Sequence, residues 1–109
     1  MATHHASSAE IVDLETWAQD VPYEQTKTIV KTDEMELVRL VIPVGKEIPT
    51  HKVSGPIIVH CINGKIEFTV MGKTQVLMDG QLLHLASDEP HSVKAIADAV
   101  VLLTIIFKT

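Results

Sequence analysis

The sequence has few of the residues that build disulfide frameworks, nucleic-acid interfaces or membrane spans. Its one cysteine, Cys61, can form neither an internal disulfide nor a multi-cysteine zinc site. With one arginine, Arg39, and few aromatic residues, it lacks the basic, ring-bearing surface that nucleic-acid binders use. The longest apolar run, residues 99–107, is too short for a membrane-spanning helix. No secretory signal is visible, and we therefore expect the reducing cytoplasm as its location.

The sequence does contain enough apolar residues for one folded domain. Of the 109 residues, 46% are hydrophobic, which excludes wholesale disorder. A chain of this length forms a single domain and buries enough surface to fold without a metal ion or a disulfide. The net charge of −5 is unevenly placed, because the first 36 residues carry eight acids and only two lysines. We therefore divide the chain into an N-terminal lead and arm, residues 1–26, and a β-rich domain, residues 27–109.

The N-terminal part gives two weak signals. His4 and His5 form a pair that can contact a metal ion, although such pairs at a chain terminus are usually inert. Apolar residues at positions 11, 14, 17 and 18 have helix-like spacing. This pattern favours a short helix over residues 11–18, and the alternative is an extended arm that docks on a neighbour.

From residue 27 onward the pattern is typical of short β-strands. Five glycines recur at intervals of eight to ten residues, a spacing of turn signals found in sandwiches and barrels. The dipeptide Asn63–Gly64 predicts a hairpin, because a type I′ turn needs positive φ at both positions. Further turns are predicted at residues 71–73 and 79–80, and Asp98 predicts a bend between the last two strands. No helical pattern separates these strands, so their connections are expected to be antiparallel.

Two segments resemble the conserved motifs of the cupin superfamily. Residues 45–51 (GKEIPTH), followed by Gly64, resemble the first motif, and residues 80–91 (GQLLHLASDEPH) resemble the second. The segment after His91 is similar to the closing strands of small single-domain cupins. The resemblance implies an all-β fold, a cupin-type double-stranded β-helix or jelly-roll barrel, preceded by the short N-terminal arm or helix. It also implies a homodimer, with the N-terminal arm and the strand IIVHCI as candidate contacts.

The resemblance implies a metal site that this sequence retains only in part. His51 and His91 match the first and last ligands of the usual cupin set. Val53 stands where a second histidine is expected, and Ile57 stands where the glutamate is expected. The usual four-ligand centre therefore cannot be carried over to this chain.

A third histidine would restore a metal site of a different kind. His84 and His60 are the candidates, and with His51 and His91 either would suit a divalent transition metal such as zinc, iron or nickel. Side-chain alternation along the strand directs His60 outward unless a bulge intervenes. The alternative for His51 and His91 is that loop hydrogen bonds satisfy them while they line an apolar pocket.

The interior of the expected barrel is the candidate ligand pocket. Alternation places residues 57, 59 and 61 on one face of their strand, and it places Phe68 on the apolar face of residues 65–71. Arg39 is a candidate for holding a carboxylate inside the barrel, and a surface or interface salt bridge is the alternative. The predicted lining residues, besides the histidines, are Arg39, Val53, Ile57, Val59, Cys61 and Phe68.

Three functions are compatible with these residues. The first is a binding module that holds a small organic ligand, with or without a metal ion. The second is a metal-dependent cupin enzyme, such as a dioxygenase, isomerase or decarboxylase acting on a small acid. The third is a structural or regulatory dimer without a ligand. The incomplete ligand set favours the first, so we expect a small-molecule ligand and neither nucleic acid nor a membrane as partner.

Overall fold

The computed structural model describes residues 5–13 and 26–107, which contain β-strands and no helix. Accordingly, no helix in these ranges is long and apolar enough to cross a membrane. The strands are β1 (Lys27–Lys31), β2 (Met35–Ile42), β3 (Glu47–His51), β4 (Ile57–Val70), β5 (Lys73–Met78), β6 (Gln81–Leu85) and β7 (His91–Ile106). All their pairings are antiparallel. The predicted all-β class is confirmed.

Two long strands, β4 and β7, organise the fold. They pair with each other along most of their lengths, and each changes its second partner midway. In one half of the molecule β1 and β2 extend the sheet from β7, and β6 extends it from β4. In the other half β3 pairs with the start of β7, and β5 pairs with the end of β4. The result is a jelly roll of two sheets that share β4 and β7.

The prediction of a hairpin at Asn63–Gly64 is wrong, because β4 passes through these residues without reversing. The register between β4 and β7 shifts between Cys61 and Ile66, which is the signature of a bulge. Gly64 has a φ of 101° there. A bulge can use positive φ as a type I′ turn does, so the same dipeptide suits both structures. Across the bulge the buried side of β4 changes from odd-numbered to even-numbered residues.

The other turn predictions have different outcomes. Met71 and Gly72 both have positive φ and connect β4 to β5 in a two-residue hairpin, as predicted. Residues 79–80 also form a turn. However, β5 and β6 follow one another along β4 and do not pair as a hairpin.

Asp98 lies within a single strand and does not separate two strands. It marks the region where β7 leaves β3 and joins β2. One of its carboxylate oxygens accepts a hydrogen bond from the backbone N–H of Val44, at 2.8 Å. The expected bend is therefore a change of partner within β7, fixed by a bond to the loop before β3.

Part of the N-terminal lead is attached to the barrel. The backbone N–H of Ala6 donates a hydrogen bond of 2.6 Å to the carbonyl oxygen of Ile29 in β1. Residues 11–13 have no regular structure. His4 and the rest of the predicted helix over residues 11–18 lie outside the described residues.

Candidate functional site

An apolar cavity of about 190 Å³ lies between the two sheets of the barrel. Residues from β2, β3, β4 and β7 line it, so both sheets contribute. Ten of the lining side chains are apolar, and the two polar ones are the histidines. The lining residues are Leu40, Ile42, Ile48, His51, Ile57, Val59, Ile66, Phe68, His91, Val93, Val101 and Leu103.

His51 and His91 face each other across paired strands. They are direct register partners, because β3 ends at His51 and β7 begins at His91. Their ring centroids are 4.3 Å apart, with the planes tilted by 60°. The His91 ring also stacks on Phe68, nearly parallel at a centroid distance of 5.3 Å. The strand pairing thus brings together two imidazoles that are 40 residues apart in sequence.

Each of these imidazoles is held by a backbone carbonyl two residues earlier. The Nδ1 atom of His51 lies 3.1 Å from the oxygen of Pro49, and Nδ1 of His91 lies 3.0 Å from the oxygen of Glu89. A carbonyl oxygen only accepts hydrogen bonds, so both Nδ1 atoms act as donors. These bonds engage Nδ1 alone, and a metal-bound histidine makes the same bond while its other nitrogen holds the metal, so they are compatible both with ligation and with the apolar-pocket alternative.

The two histidines differ in exposure. His91 is buried, whereas His51 is exposed at the end of its strand. Burial lowers the pKa of His91, and the nearby His51 lowers it further, while the hydrogen bond to Glu89 partly opposes both effects. The polar end of the cavity therefore combines one buried imidazole that favours the neutral form and one that solvent reaches.

The apolar residues predicted to line the pocket divide into two groups. Ile57, Val59 and Phe68 line the cavity. Cys61 is fully buried on the same face of β4 and belongs to the same core cluster, but it is not among the residues that line the cavity. Burial raises the pKa of its thiol, and the carboxylate of Asp79 adds to the effect. Val53 packs against the core from the loop before β4 and is not among the lining residues.

The two candidate third ligands lie on the opposite side of the sheet from the cavity. His84 is exposed on β6, where its neighbours Leu83 and Leu85 turn inward. His60 is half-buried on β4, between the inward-facing Val59 and Cys61. The bulge in β4 begins after His60, so alternation holds at this position and directs its ring outward. Neither imidazole joins His51 and His91.

Arg39 is not a pocket residue. Its neighbour Leu40 lines the cavity, and alternation along β2 turns Arg39 to the outer face. The side chain is nevertheless fully buried there. The prediction that it reaches into the barrel is therefore wrong. Apolar residues stand on both faces of β2, so the sequence pattern does not show which face is turned toward the barrel interior.

The residues present do not fit the metal centre that the sequence resemblance implies. In the described part of the chain, no group of three or more histidine, cysteine, aspartate or glutamate side chains can hold a metal ion. Protein zinc sites usually use at least three such ligands. Among the residues that the structure describes, the other side chains that line the cavity of His51 and His91 are apolar, and none of them is a carboxylate.

The sequence interpretation missed the apolar residues of β2 and of the second half of β7 that line the cavity. Leu40 and Ile42 line the cavity from β2, and Val101 and Leu103 line it from β7. Within each pair the residues are two positions apart, and this spacing is the sequence signal that both side chains lie on the same face of their strand. Both segments are apolar on both faces, however, so the spacing alone does not select the inward residues.

Comparison with known proteins places this architecture in a family. The profile of the cupin domain family matches residues 38–107. No curated protein matches the chain.

Solved structures share the fold at low sequence identity. A conserved protein of unknown function from Streptococcus pyogenes is 21% identical, with a TM-score of 0.81 over 100% of this chain and 97% of the other. A cupin-2 domain containing protein from Shewanella frigidimarina NCIMB 400 is 8% identical, with a TM-score of 0.75 over 88% and 94% of the two chains. KdgF from Halomonas sp. is 17% identical, with a TM-score of 0.72 over 77% and 78%. These likenesses show the fold alone, but the family profile spans more than half of the sequence, and the protein therefore belongs to the cupin domain family.

Proposed function

We propose that this cupin is a binding module that holds a small organic molecule in its barrel. The apolar cavity between the two sheets, with two histidines as its polar lining residues, is the observation that supports the proposal. Ligand pockets are typically apolar and concave, with a few polar groups that fix orientation. The ligand would therefore place an apolar body among the aliphatic side chains and a polar group near His51 and His91.

The size of the cavity limits the ligand to a small molecule. Its volume is about 190 Å³. An engineered apolar cavity of about 150 Å³ binds benzene. A single ring or a short branched chain therefore matches the space available. Among the described lining residues Phe68 is the one phenylalanine, tyrosine or tryptophan, and it is already stacked on His91, so aliphatic contacts would dominate the binding.

A direct test uses toluene as the probe and a variant that fills the cavity. Val59 lines the cavity, so Val59→Phe places an additional ring in the ligand space. Binding is followed by NMR shifts of the methyl groups of Ile57, Val101 and Leu103 during a toluene titration. We expect saturable binding to the wild type and at least tenfold weaker binding to the variant.

Two further variants control this experiment. Val76 is exposed on β5 and outside the cavity, so Val76→Phe should bind toluene as the wild type does. If Val59→Phe does not fold, Val101→Leu fills less of the space and replaces it. Absence of saturable toluene binding to the folded wild type would contradict the proposed function, as would unchanged binding to the folded filled variant.

A further inference from the structure

The polar lining of the cavity defines which chemical group a ligand can present. His51 and His91 are the two polar side chains among the lining residues. Their rings lie close together, with centroids 4.3 Å apart, and the other described lining residues are apolar. Any polar group on a bound ligand would therefore be recognised by these two imidazoles.

The hydrogen bonds of the two rings determine what they can offer. Each Nδ1 lies within hydrogen-bond distance of a backbone carbonyl, Pro49 for His51 and Glu89 for His91. Because a carbonyl cannot donate, each Nδ1 carries a proton. A neutral imidazole has one N–H, so its second nitrogen, Nε2, carries a lone pair. In their neutral forms, the ring nitrogen that each histidine has left for a ligand is therefore an acceptor and not a donor.

We infer that the cavity selects a ligand whose polar group is a hydroxyl donor, as in a small phenol or alcohol, and rejects the carboxylate of the same size. The inference rests on the proposed function and adds to it the class of ligand. A ligand hydroxyl donates its hydrogen to Nε2 of one imidazole, and the ring of the ligand occupies the aliphatic space. A carboxylate would direct its own lone pairs at the imidazole lone pairs. It would also lose its hydration shell in an apolar cavity.

Three probes that share one aromatic ring separate these possibilities. Toluene has no polar group, phenol has a hydroxyl donor, and benzoate has a carboxylate. Titrations are run at pH 8, where an ordinary imidazole is neutral and benzoate is ionised. We expect phenol to bind at least fivefold more tightly than toluene, and benzoate to bind more weakly than either.

Variants assign the preference to the histidines. His51 is exposed, so His51→Leu is expected to fold, and it should reduce the advantage of phenol over toluene. His91→Leu should do the same, and His91→Gln replaces it if the leucine variant does not fold. His84→Leu is the matched control, because this exposed histidine lies on the outer face of β6, and the variant should keep the wild-type preference.

The tautomers can be measured without any variant. The nitrogen chemical shifts of the two imidazoles at pH 8 distinguish protonated from unprotonated nitrogens. We expect protonated Nδ1 and unprotonated Nε2 in both rings, and the opposite tautomer in both would overturn the inference.

The failures of the two proposals are distinguishable. Equal binding of toluene and phenol, or tightest binding of benzoate, would overturn the hydroxyl preference and leave the binding function standing. Saturable binding of none of the three probes would overturn both.

Discussion

Gly64 in β4 packs directly against the backbone of Asp98 in β7. A Cβ atom built on Gly64 would collide with the carbonyl oxygen of Asp98 and would lie 2.7 Å from the Cα of Ala99. The residue also has a φ of 101°, a conformation that side chains with a Cβ disfavour. The bulge in β4, where the strand passes from one sheet to the other, thus depends on the absence of a side chain at Gly64.

Gly64→Ala is therefore expected to destabilise the protein strongly. The left-handed conformation costs about 1–2 kcal/mol for an alanine. The collision with fixed backbone adds an overpacking cost of about 1–3 kcal/mol. Urea unfolding of Gly64→Ala against Gly45→Ala measures the difference, because Gly45 has a φ of 83° but nothing within 4 Å of its Cβ position. Equal losses in the two variants would contradict the close approach.

Asp98 is expected to stabilise the loop before β3 through its bond to Val44. Asp98→Ala removes the acceptor of this exposed hydrogen bond and should lower the free energy of unfolding by about 1 kcal/mol. Asp98→Asn keeps a carbonyl oxygen in the same place and should lose less. Chemical denaturation of both variants checks the prediction, and an equal loss in the asparagine variant would show that the negative charge matters more than the bond.

The fully buried Arg39 should matter for stability and not for ligand binding. A buried guanidinium is stable only with compensating interactions, and Arg39, which is fully buried, does interact with other groups of the protein. Arg39→Met keeps an unbranched apolar stem but shortens the side chain and removes the charge, and it should cost about 3 kcal/mol. Lys73→Met, at an exposed position on β5, is the control and should cost little. Toluene binding to the folded Arg39→Met protein should equal that of the wild type, because Arg39 does not line the cavity.

Local patterns predicted the direction of some side chains and failed for others, for identifiable reasons. In β4 the alternation before the bulge correctly directed Ile57 and Val59 inward and His60 outward. In β2 apolar residues stand on both faces, so periodicity could not show that Arg39 faces out. The turn preference of Asn63–Gly64 reports positive φ, which a hairpin and a bulge share. Only the long-range pairing with β7 decides between them.

The cupin resemblance predicted the fold more fully than the site. Both histidines that match the motifs do line one cavity. What the sequence could not show is the bond that each Nδ1 makes with a carbonyl two residues away, since it depends on backbone geometry. The sequence also could not show that His84 does not join His51 and His91, because the side of the sheet that His84 faces depends on how β6 pairs with β4.

Removal of metal ions is expected to leave the stability of the protein unchanged. Two imidazoles without a third ligand among the described residues make a weak site. Untagged protein dialysed against EDTA should therefore unfold at the same temperature as protein supplied with zinc, iron or nickel. A metal bound in a one-to-one ratio, with an unfolding temperature that falls after dialysis and after His51→Ala, would contradict this expectation.

The buried His91 should make the protein less stable in mildly acidic solution. Burial against Phe68 and the proximity of His51 keep its pKa below the ordinary histidine value, which the unfolded chain retains. Between these two pKa values the unfolded state binds more protons, so stability falls as the pH falls through this window. Above pH 6.5, the ordinary pKa of histidine, His91 is neutral in both states, and the full stability of the protein is retained. Unfolding free energies from pH 8 to pH 5 should therefore fall more steeply for the wild type than for His91→Gln. His84→Gln, at an exposed outer position, should follow the wild type, whereas parallel curves for wild type and His91→Gln would contradict the lowered pKa.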